Sequence, residues 1–443
     1  MINIEDLRKI VIKQKEEIEK IDGTVKRDIL DEILNWFKDN RVIILTGIRR
    51  CGKSTILKQI IKNKKDYCYV NFEDERFLDF KAQDFEKLNE ILIEIYNNPE
   101  IYLFDEIQNV DKFETFVRRL QDEGKKVIIT GSNASLLSKE FGTRLTGRYK
   151  PFEIFPFSFL EYLRFRNIEI DKDWSYKTMK RVEIRKVFNE YFLLGGFPEY
   201  LKTQDKEYIK NVLDSIIYKD VIARYSIKKQ RVIKELINIL TTNISSMFTY
   251  NSIKETLGLS NSITVKEYIS YLANSYLFFE VSKFDFSLRK SLAAPKKIYL
   301  IDTAFNQISG FNFSSNNGRN LENVVFIELK RRKKEVYYFS EKNECDFIIK
   351  DGVRATQAIQ VCYNLNKEDK EREVNGLLQA MNKFKLIEGK IITFDQDEEL
   401  RVDGKMIQVT PVWKWLLKDE KLKEFKLNKL YLKRGKRQDE KEN

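Results

Sequence analysis

Val42-Ile43-Ile44-Leu45-Thr46-Gly47-Ile48-Arg49-Arg50-Cys51-Gly52-Lys53-Ser54-Thr55-Ile56-Leu57 decides the fold. An apolar run of strand type enters G-x-x-x-x-G-K-S, and a helix-forming stretch leaves it. That order is the context in which this spacing cradles a phosphate. Gly47 and Gly52 let the chain curl so that backbone N–H groups point inward, and the helix beginning near Ser54 adds the positive end of its dipole. Lys53 can reach β- and γ-phosphates, and the Ser54 hydroxyl can take a Mg²⁺ coordination position. The expected nucleotide-binding set is Gly47, Arg50, Gly52, Lys53, Ser54 and Thr55.

Outward from this loop, Ile101-Tyr102-Leu103-Phe104-Asp105-Glu106 reads as an apolar strand ending in two adjacent carboxylates. Asp105, with Ser54, is expected to hold the Mg²⁺ shell, and Glu106 to orient or deprotonate the attacking water. A third strand, Val127-Ile128-Ile129-Thr130, ends in Gly131-Ser132-Asn133. Ser132 and Asn133 are the candidates for sensing the γ-phosphate or holding the water, Asn133 being taken as the catalytic one; capping of a helix from Ala134 is the competing role for both. Arg144 and Arg148 follow, either of which can neutralise transition-state charge in cis or on a neighbouring subunit.

Composition excludes several chemistries. The 443 residues contain no histidine, so histidine triads, histidine general bases and histidine-ligated zinc are all ruled out. Chemistry must run on carboxylates, Lys, Arg, backbone amides and a hard metal, which are the parts phosphoryl transfer uses. The four cysteines form no C-x-x-C pair. With no signal-peptide layout at Met1 and no long apolar run, a reduced cytoplasmic setting without membrane contact is expected. The net charge of +12 permits weak, non-specific DNA contact without requiring it.

Five buried-type strands alternating with helices predict an α/β fold, a parallel sheet covered on both faces. An amphipathic helix precedes it, with Ile4, Leu7, Ile10, Val11, Ile18 and Ile21 on one side. Past Pro156 the pattern is helical. Asn251–Ser260 and Ile263–Leu272 then read as a helix-turn-helix, and Leu277-Phe278-Phe279-Glu280-Val281 as the start of a wing. From Lys297 the texture is α+β. The expected organisation is 1–24 amphipathic helix, 25–160 P-loop domain, 161–290 helical and winged-helix domain, 291–420 α+β domain and 421–443 basic tail.

As a set, Gly47-Ile-Arg-Arg-Cys-Gly-Lys-Ser54, Phe104-Asp-Glu-Ile-Gln108, Gly147-Arg-Tyr149 with Pro156-Phe-Ser-Phe159, Gly195-Gly-Phe-Pro-Glu199, Tyr299-Leu-Ile-Asp302 and Glu322-Asn323 with Glu328-Leu329 resemble a prokaryotic family of P-loop ATPases. Its members pair an AAA-like ATPase domain with a C-terminal domain of unknown function. The resemblance implies ATP and Mg²⁺ as ligands and favours Arg148 over Arg144 as the arginine near nucleotide or domain interface. It also implies a restriction-endonuclease-like fold for the C-terminal part. There Glu322 or Glu328 would be the helix acid and Asp346 the strand acid, but Gln360-Val361-Cys362 stands where Glu-x-Lys is needed. DNA cleavage is therefore not expected, unless Lys330, Arg331 or Arg332 supplies the missing cation.

The combined expectation is an ATPase whose nucleotide cycle gates a winged-helix and nuclease-like module. The alternatives are an ATP-dependent DNA-processing nuclease and a nucleotide switch with little hydrolysis. Whether DNA, another protein on the C-terminal domain or a second copy of the chain is the partner stays open.

Overall fold

The computed structural model describes residues 2–20, 23–134, 147–308 and 317–418. Strands β1 (Val42–Thr46), β2 (Tyr67–Asn71), β3 (Ile101–Asp105), β4 (Lys126–Gly131) and β5 (Tyr149–Glu153) form one sheet in the order β2-β3-β4-β1-β5. Every neighbouring pair is parallel. Successive β1 residues serve opposite faces, as the two-residue strand period requires. Ile43 and Leu45 join one core with Ile56, Leu57 and Ile60, whereas Val42 and Ile44 join another with Leu7, Ile10 and Val11. A strand buried on both sides must be apolar throughout, which is why Val-Ile-Ile-Leu is legible as β1.

The helix Ile4–Glu19 starts where the Asn3 side chain accepts the Glu5 N–H at 3.3 Å, with Glu5 and Asp6 in its first turn. Leu7, Ile10, Val11 and Ile18 are buried, each worth about 1.5–3 kcal/mol. Ile4 is exposed, and Ile21 lies outside the described residues. Gln14 fixes the helix to the sheet by donating to the Asn71 carbonyl at 3.0 Å. No helix among the described residues is long and apolar enough to cross a membrane.

Parallel order has a consequence for chemistry. It brings the ends of β1, β3 and β4, with Gly47, Asp105-Glu106 and Ser132-Asn133, to the same edge of the sheet. The residues that precede β5 lie at the other edge.

Beyond β5 come helices Phe159–Phe165, Thr178–Leu194, Pro198–Thr203 and Lys206–Ser215, a π-helical segment Ile216–Ala223, and helix Gln230–Thr242. Next is a small antiparallel sheet of β6 (Met247–Phe248), β7 (Phe278–Ser282) and β8 (Lys296–Leu300), ordered β6-β8-β7. Helices Tyr250–Thr256 and Ser262–Asn274 lie between β6 and β7, at the expected helix-turn-helix. Strand β8, where the sequence texture turns α+β, pairs with β7; alternation alone does not choose a pairing partner.

The last sheet holds β9 (Glu335–Ser340), β10 (Glu344–Asp351), β11 (Arg354–Cys362), β12 (Glu388–Thr393), β13 (Glu398–Val402) and β14 (Lys405–Pro411). Its order is β13-β14-β12-β11-β10-β9, with helices Asn317–Arg331 and Lys367–Lys383 packed on it. One apolar core runs from Ile43 and Leu45 through Phe157, Tyr191 and Phe197 to Phe326 and Ile392. The three sheets are thus joined by packing as well as by chain.

Candidate active site

Close approach explains both loop glycines. A Cβ on Gly47 would stand 2.1 Å from the Ile154 carbonyl oxygen, and one on Gly52 2.8 Å from Arg27 Nη1. Gly52 also has φ 104°, a left-handed conformation that glycine adopts without penalty. It precedes helix Lys53–Asn63, so the loop's amides and the helix N-terminus converge.

Arg27 locks the loop from behind. Its guanidinium donates to the carbonyls of Cys51 (2.9 Å) and Phe155 (2.6 Å) and pairs with Glu161 at 2.9 Å, all buried. Nothing in the sequence marks Arg27, because the partners it bridges are 24 to 134 residues away.

Lys53 is 4% exposed; its Nζ donates to the Gly47 (3.1 Å) and Ile48 (3.2 Å) carbonyls and lies 3.2 Å from Glu106 Oε1. Burial opposes the ammonium's charge, but Glu106 and the other groups around it, Asp105 among them, together outweigh burial and hold the pKa above its ordinary value. Burial likewise opposes ionisation of Glu106, yet Lys53, with a hydrogen bond from Gln108, keeps this carboxyl below its ordinary value. Asp105 behaves oppositely. Burial and the neighbouring Glu106 charge raise it, against hydrogen bonds from Ser54 and Thr130.

Thr130 ties the two acids to β4: its hydroxyl donates to Asp105 Oδ1 and accepts the Glu106 N–H at 2.9 Å. Tyr69 on β2 donates to Asp105 Oδ2 at 3.1 Å. The β4 residue in contact with the acids is therefore Thr130. Asn133 is fully buried at the strand's end and off the cavity wall, and Ser132 turns to Asp220.

A cavity of about 630 Å³ opens in front of the loop, within the size range of small-molecule sites. Arg50, Gly52, Lys53, Ser54, Thr55 and Glu106 line it, while Gly47 and Asp105 sit behind the wall. Its far side is Thr24, Val25, Phe157, Pro198, Glu199 and Tyr208. Arg148 is not there. Its carbonyl accepts the Val42 N–H at the start of β1 (3.0 Å), and its half-exposed side chain pairs with Asp122 at 2.9 Å, at the opposite edge of the sheet. Arg144, the stretch after Ala134 and the 421–443 tail lie outside the described residues.

The sequence motifs without an evident role build that far wall. Asp302 accepts the Gly196 and Ala304 N–H groups, each at 2.9 Å, and burial pushes its carboxyl up to about 6. Gly196 accepts from the Phe157 N–H at 2.7 Å, and the Phe157 carbonyl takes Tyr191 Oη at 2.9 Å and Arg331 at 3.1 Å. P-x-S-F, G-G-F-P and Y-L-I-D thus meet in one knot that presents Phe157, Pro198 and Glu199 to the cavity.

The C-terminal acids also assemble, around an unexpected cation. Lys297 Nζ, from β8, lies 2.9 Å from Glu322 and 3.0 Å from Asp346, and also pairs with Glu344. Tyr299 donates to Glu322 at 2.6 Å, and Asp346 accepts the Val361 N–H at 2.9 Å. Burial and Asp346 push the Glu322 carboxyl up to about 8. Glu328 stands apart, paired with Arg332 at 2.8 Å, and Gln360 bonds Glu373. Arg331 is engaged by the Pro156 and Phe157 carbonyls. Among the described residues no group of three or more Asp, Glu, Cys or His is arranged to hold a metal ion.

A family model described as an AAA domain matches residues 39–163, and one described as a domain of unknown function matches 185–312. An uncharacterised protein of Methanocaldococcus jannaschii is 38% identical over 438 residues, covering 94% of this chain and 96% of that protein. One of Haemophilus influenzae is 30% identical over 415 residues, covering 89% and 98%. Among solved structures, a Walker-type ATPase of Pyrococcus abyssi is similar with a TM-score of 0.39 at 16% identity, over 65% of this chain and 96% of that one.

Proposed function

The chain belongs to a family of archaeal and bacterial P-loop ATPases with an AAA domain and a C-terminal domain of unknown function, and on that premise we propose that it binds MgATP in the cavity beside Lys53 and hydrolyses it. The nucleotide cycle would then act on the helical and C-terminal regions packed against that cavity. The observation that carries this reading is the cluster of Lys53, Ser54 and Glu106 on the cavity wall with Asp105 directly behind them.

Ser54 and Asp105, hydrogen-bonded to one another, are the hard oxygen donors a Mg²⁺ ion requires. When bound, the ion neutralises charge on the phosphates. The loop amides bind the phosphate oxygens, and Lys53 exchanges the Gly47 and Ile48 carbonyls for them. Glu106, released from Lys53, orients water and accepts its proton at a carboxylate oxygen. Thr130 keeps both acids in register with the loop. Arg148 is half-exposed and pairs with Asp122 away from its own cavity, which supports a role at the nucleotide of a neighbouring copy, in a homo-oligomer.

The order of helix Gln230–Thr242, β6, two helices, β7 and β8 supports a winged-helix reading of the small sheet. Its second helix pairs Lys266 with Glu267 in sequence, so DNA contact would run through phosphates, weakly and with steep salt dependence. The helix Asn317–Arg331 followed by β9, β10 and β11 supports a nuclease-like scaffold. With Lys297 seated among its acids, that scaffold serves as a docking surface. Supercoiled DNA incubated with Mg²⁺ or Mn²⁺ should remain uncut by wild type and by Asp346→Ala alike; nicking lost in Asp346→Ala would restore the nuclease.

The decisive test is a steady-state assay of phosphate release with bound nucleotide measured in parallel. Lys53→Ala should weaken binding, and Glu106→Gln should bind ATP while losing turnover by about 10²-fold or more. Wild-type turnover in Glu106→Gln would remove its assigned role.

A further inference from the structure

Arg49 sits in the middle of the phosphate loop and lines the cavity, yet its guanidinium is already engaged by two carboxylates. Its Nε and Nη2 donate to the two carboxylate oxygens of Asp220, at 2.9 and 3.1 Å, and Nη1 bonds Glu73. Asp220 is 2% exposed. It also accepts from Ser132 Oγ at 3.3 Å, so one buried carboxylate touches both the loop after β1 and the end of β4. A further cation, Arg224, is 3.9 Å away.

The placement of Asp220 is unusual. It lies in the π-helical segment Ile216–Ala223, a form that is rare and frequently found at functional sites. The segment continues helix Lys206–Ser215, which carries Tyr208 on the cavity wall. It leads on to Tyr225, whose ring stacks on Tyr271 of helix Ser262–Asn274 at 3.9 Å and 10°. Asp220 therefore ties the phosphate loop directly to the helical part of the chain.

We propose that Asp220 is a positioning residue for nucleotide: it holds Arg49 until a triphosphate competes for the guanidinium, and its release loosens Ile216–Ala223. This rests on the nucleotide reading above. A triphosphate offers more negative charge at the loop than a diphosphate, so it competes better for Arg49. Once Arg49 turns, Asp220 is a buried carboxylate with its bidentate partner gone. The segment must then shift toward Arg224 or toward solvent, and that shift is what the helices beyond would register.

The experiment uses the full chain. Affinities for MgATP and MgADP are measured for wild type, Asp220→Asn and Glu73→Gln, and hydrogen exchange of residues 216–225 is followed in wild type with each nucleotide. Asp220→Asn should bind ATP roughly tenfold tighter while ADP affinity changes less than about twofold, since Arg49 no longer has to be won from a carboxylate. Glu73→Gln, at the more exposed partner, should move ATP affinity the same way by about threefold. In wild type, residues 216–225 should exchange faster with MgATP than with MgADP. Unchanged or weaker ATP affinity in both variants, or exchange indifferent to nucleotide, would overturn the proposal while leaving nucleotide binding intact. If MgATP does not bind wild type at all, the nucleotide reading falls and this inference falls with it.

Discussion

Asp105 and Glu106 are adjacent in sequence but are pushed in opposite directions, and that difference gives a pH signature. The folded-state pKa of Asp105 is raised by burial and by Glu106. Its contribution to the stability of the free protein is therefore present at low pH and lost as pH rises through that raised value. The proposed metal role runs the other way, because a protonated Asp105 would be a poor Mg²⁺ ligand. Affinity for MgATP should fall, as pH is lowered, at a higher pH than an ordinary carboxylate would dictate, while Glu106 stays ionised. Calorimetric titration across acidic pH checks this, and Asp105→Asn should abolish the dependence. At this scale the sequence was readable where spacing is local: Gly52, Lys53, Ser54 and Glu106 are all at the cavity. It was silent on Arg27, Thr130 and Asp220, whose importance comes from partners on other elements. Arg148 illustrates the converse, since a motif shows proximity in sequence and not the edge of the sheet on which a residue falls.

Among the elements, the turn Gly195-Gly196-Phe197-Pro198 is the most constrained. Gly195 has φ 73° and ψ −157°, a region essentially reserved for glycine, and a Cβ there would stand 1.8 Å from Asp302 Oδ1. Gly195→Ala should cost roughly 2–4 kcal/mol and weaken ATP binding together with stability, because Pro198 and Glu199 hang from this turn. Urea unfolding with a parallel binding measurement tests both; a wild-type midpoint would show that the Asp302 contact is not limiting. All five strands of the first sheet were legible because buried parallel strands are apolar throughout, although β5 starts three residues before the Phe152 at which its apolar character begins. The seat of Lys297 was not legible. A lysine inside an apolar strand, Lys297-Ile298-Tyr299-Leu300, reads as an edge residue until the acids of β10 and helix Asn317–Arg331 are brought around it.

On the scale of the whole molecule, the continuous core makes the nucleotide site and the C-terminal sheet thermodynamic neighbours. None of the four tryptophans lines the cavity, and Trp174 and Trp413 pack at 6.0 Å between ring centroids. Their fluorescence and the circular dichroism of the chain should report one coincident unfolding transition, and saturating MgATP should raise both midpoints equally. Two separated transitions, only one of them moved by nucleotide, would mean that the shared core does not couple the parts. The pairing of Lys53 with Glu106 has a further consequence. The lysine's field is the foremost of the influences, with Gln108 and Arg49, that suppress the proton affinity burial would otherwise confer on that glutamate. When Lys53 turns to phosphate, the suppression lifts, and the approaching anion adds to the rise. In the proposed reaction Glu106 would then be a base whose strength is set by its own substrate: feeble while the protein idles, and strengthened on loading, when there is a phosphate for water to attack.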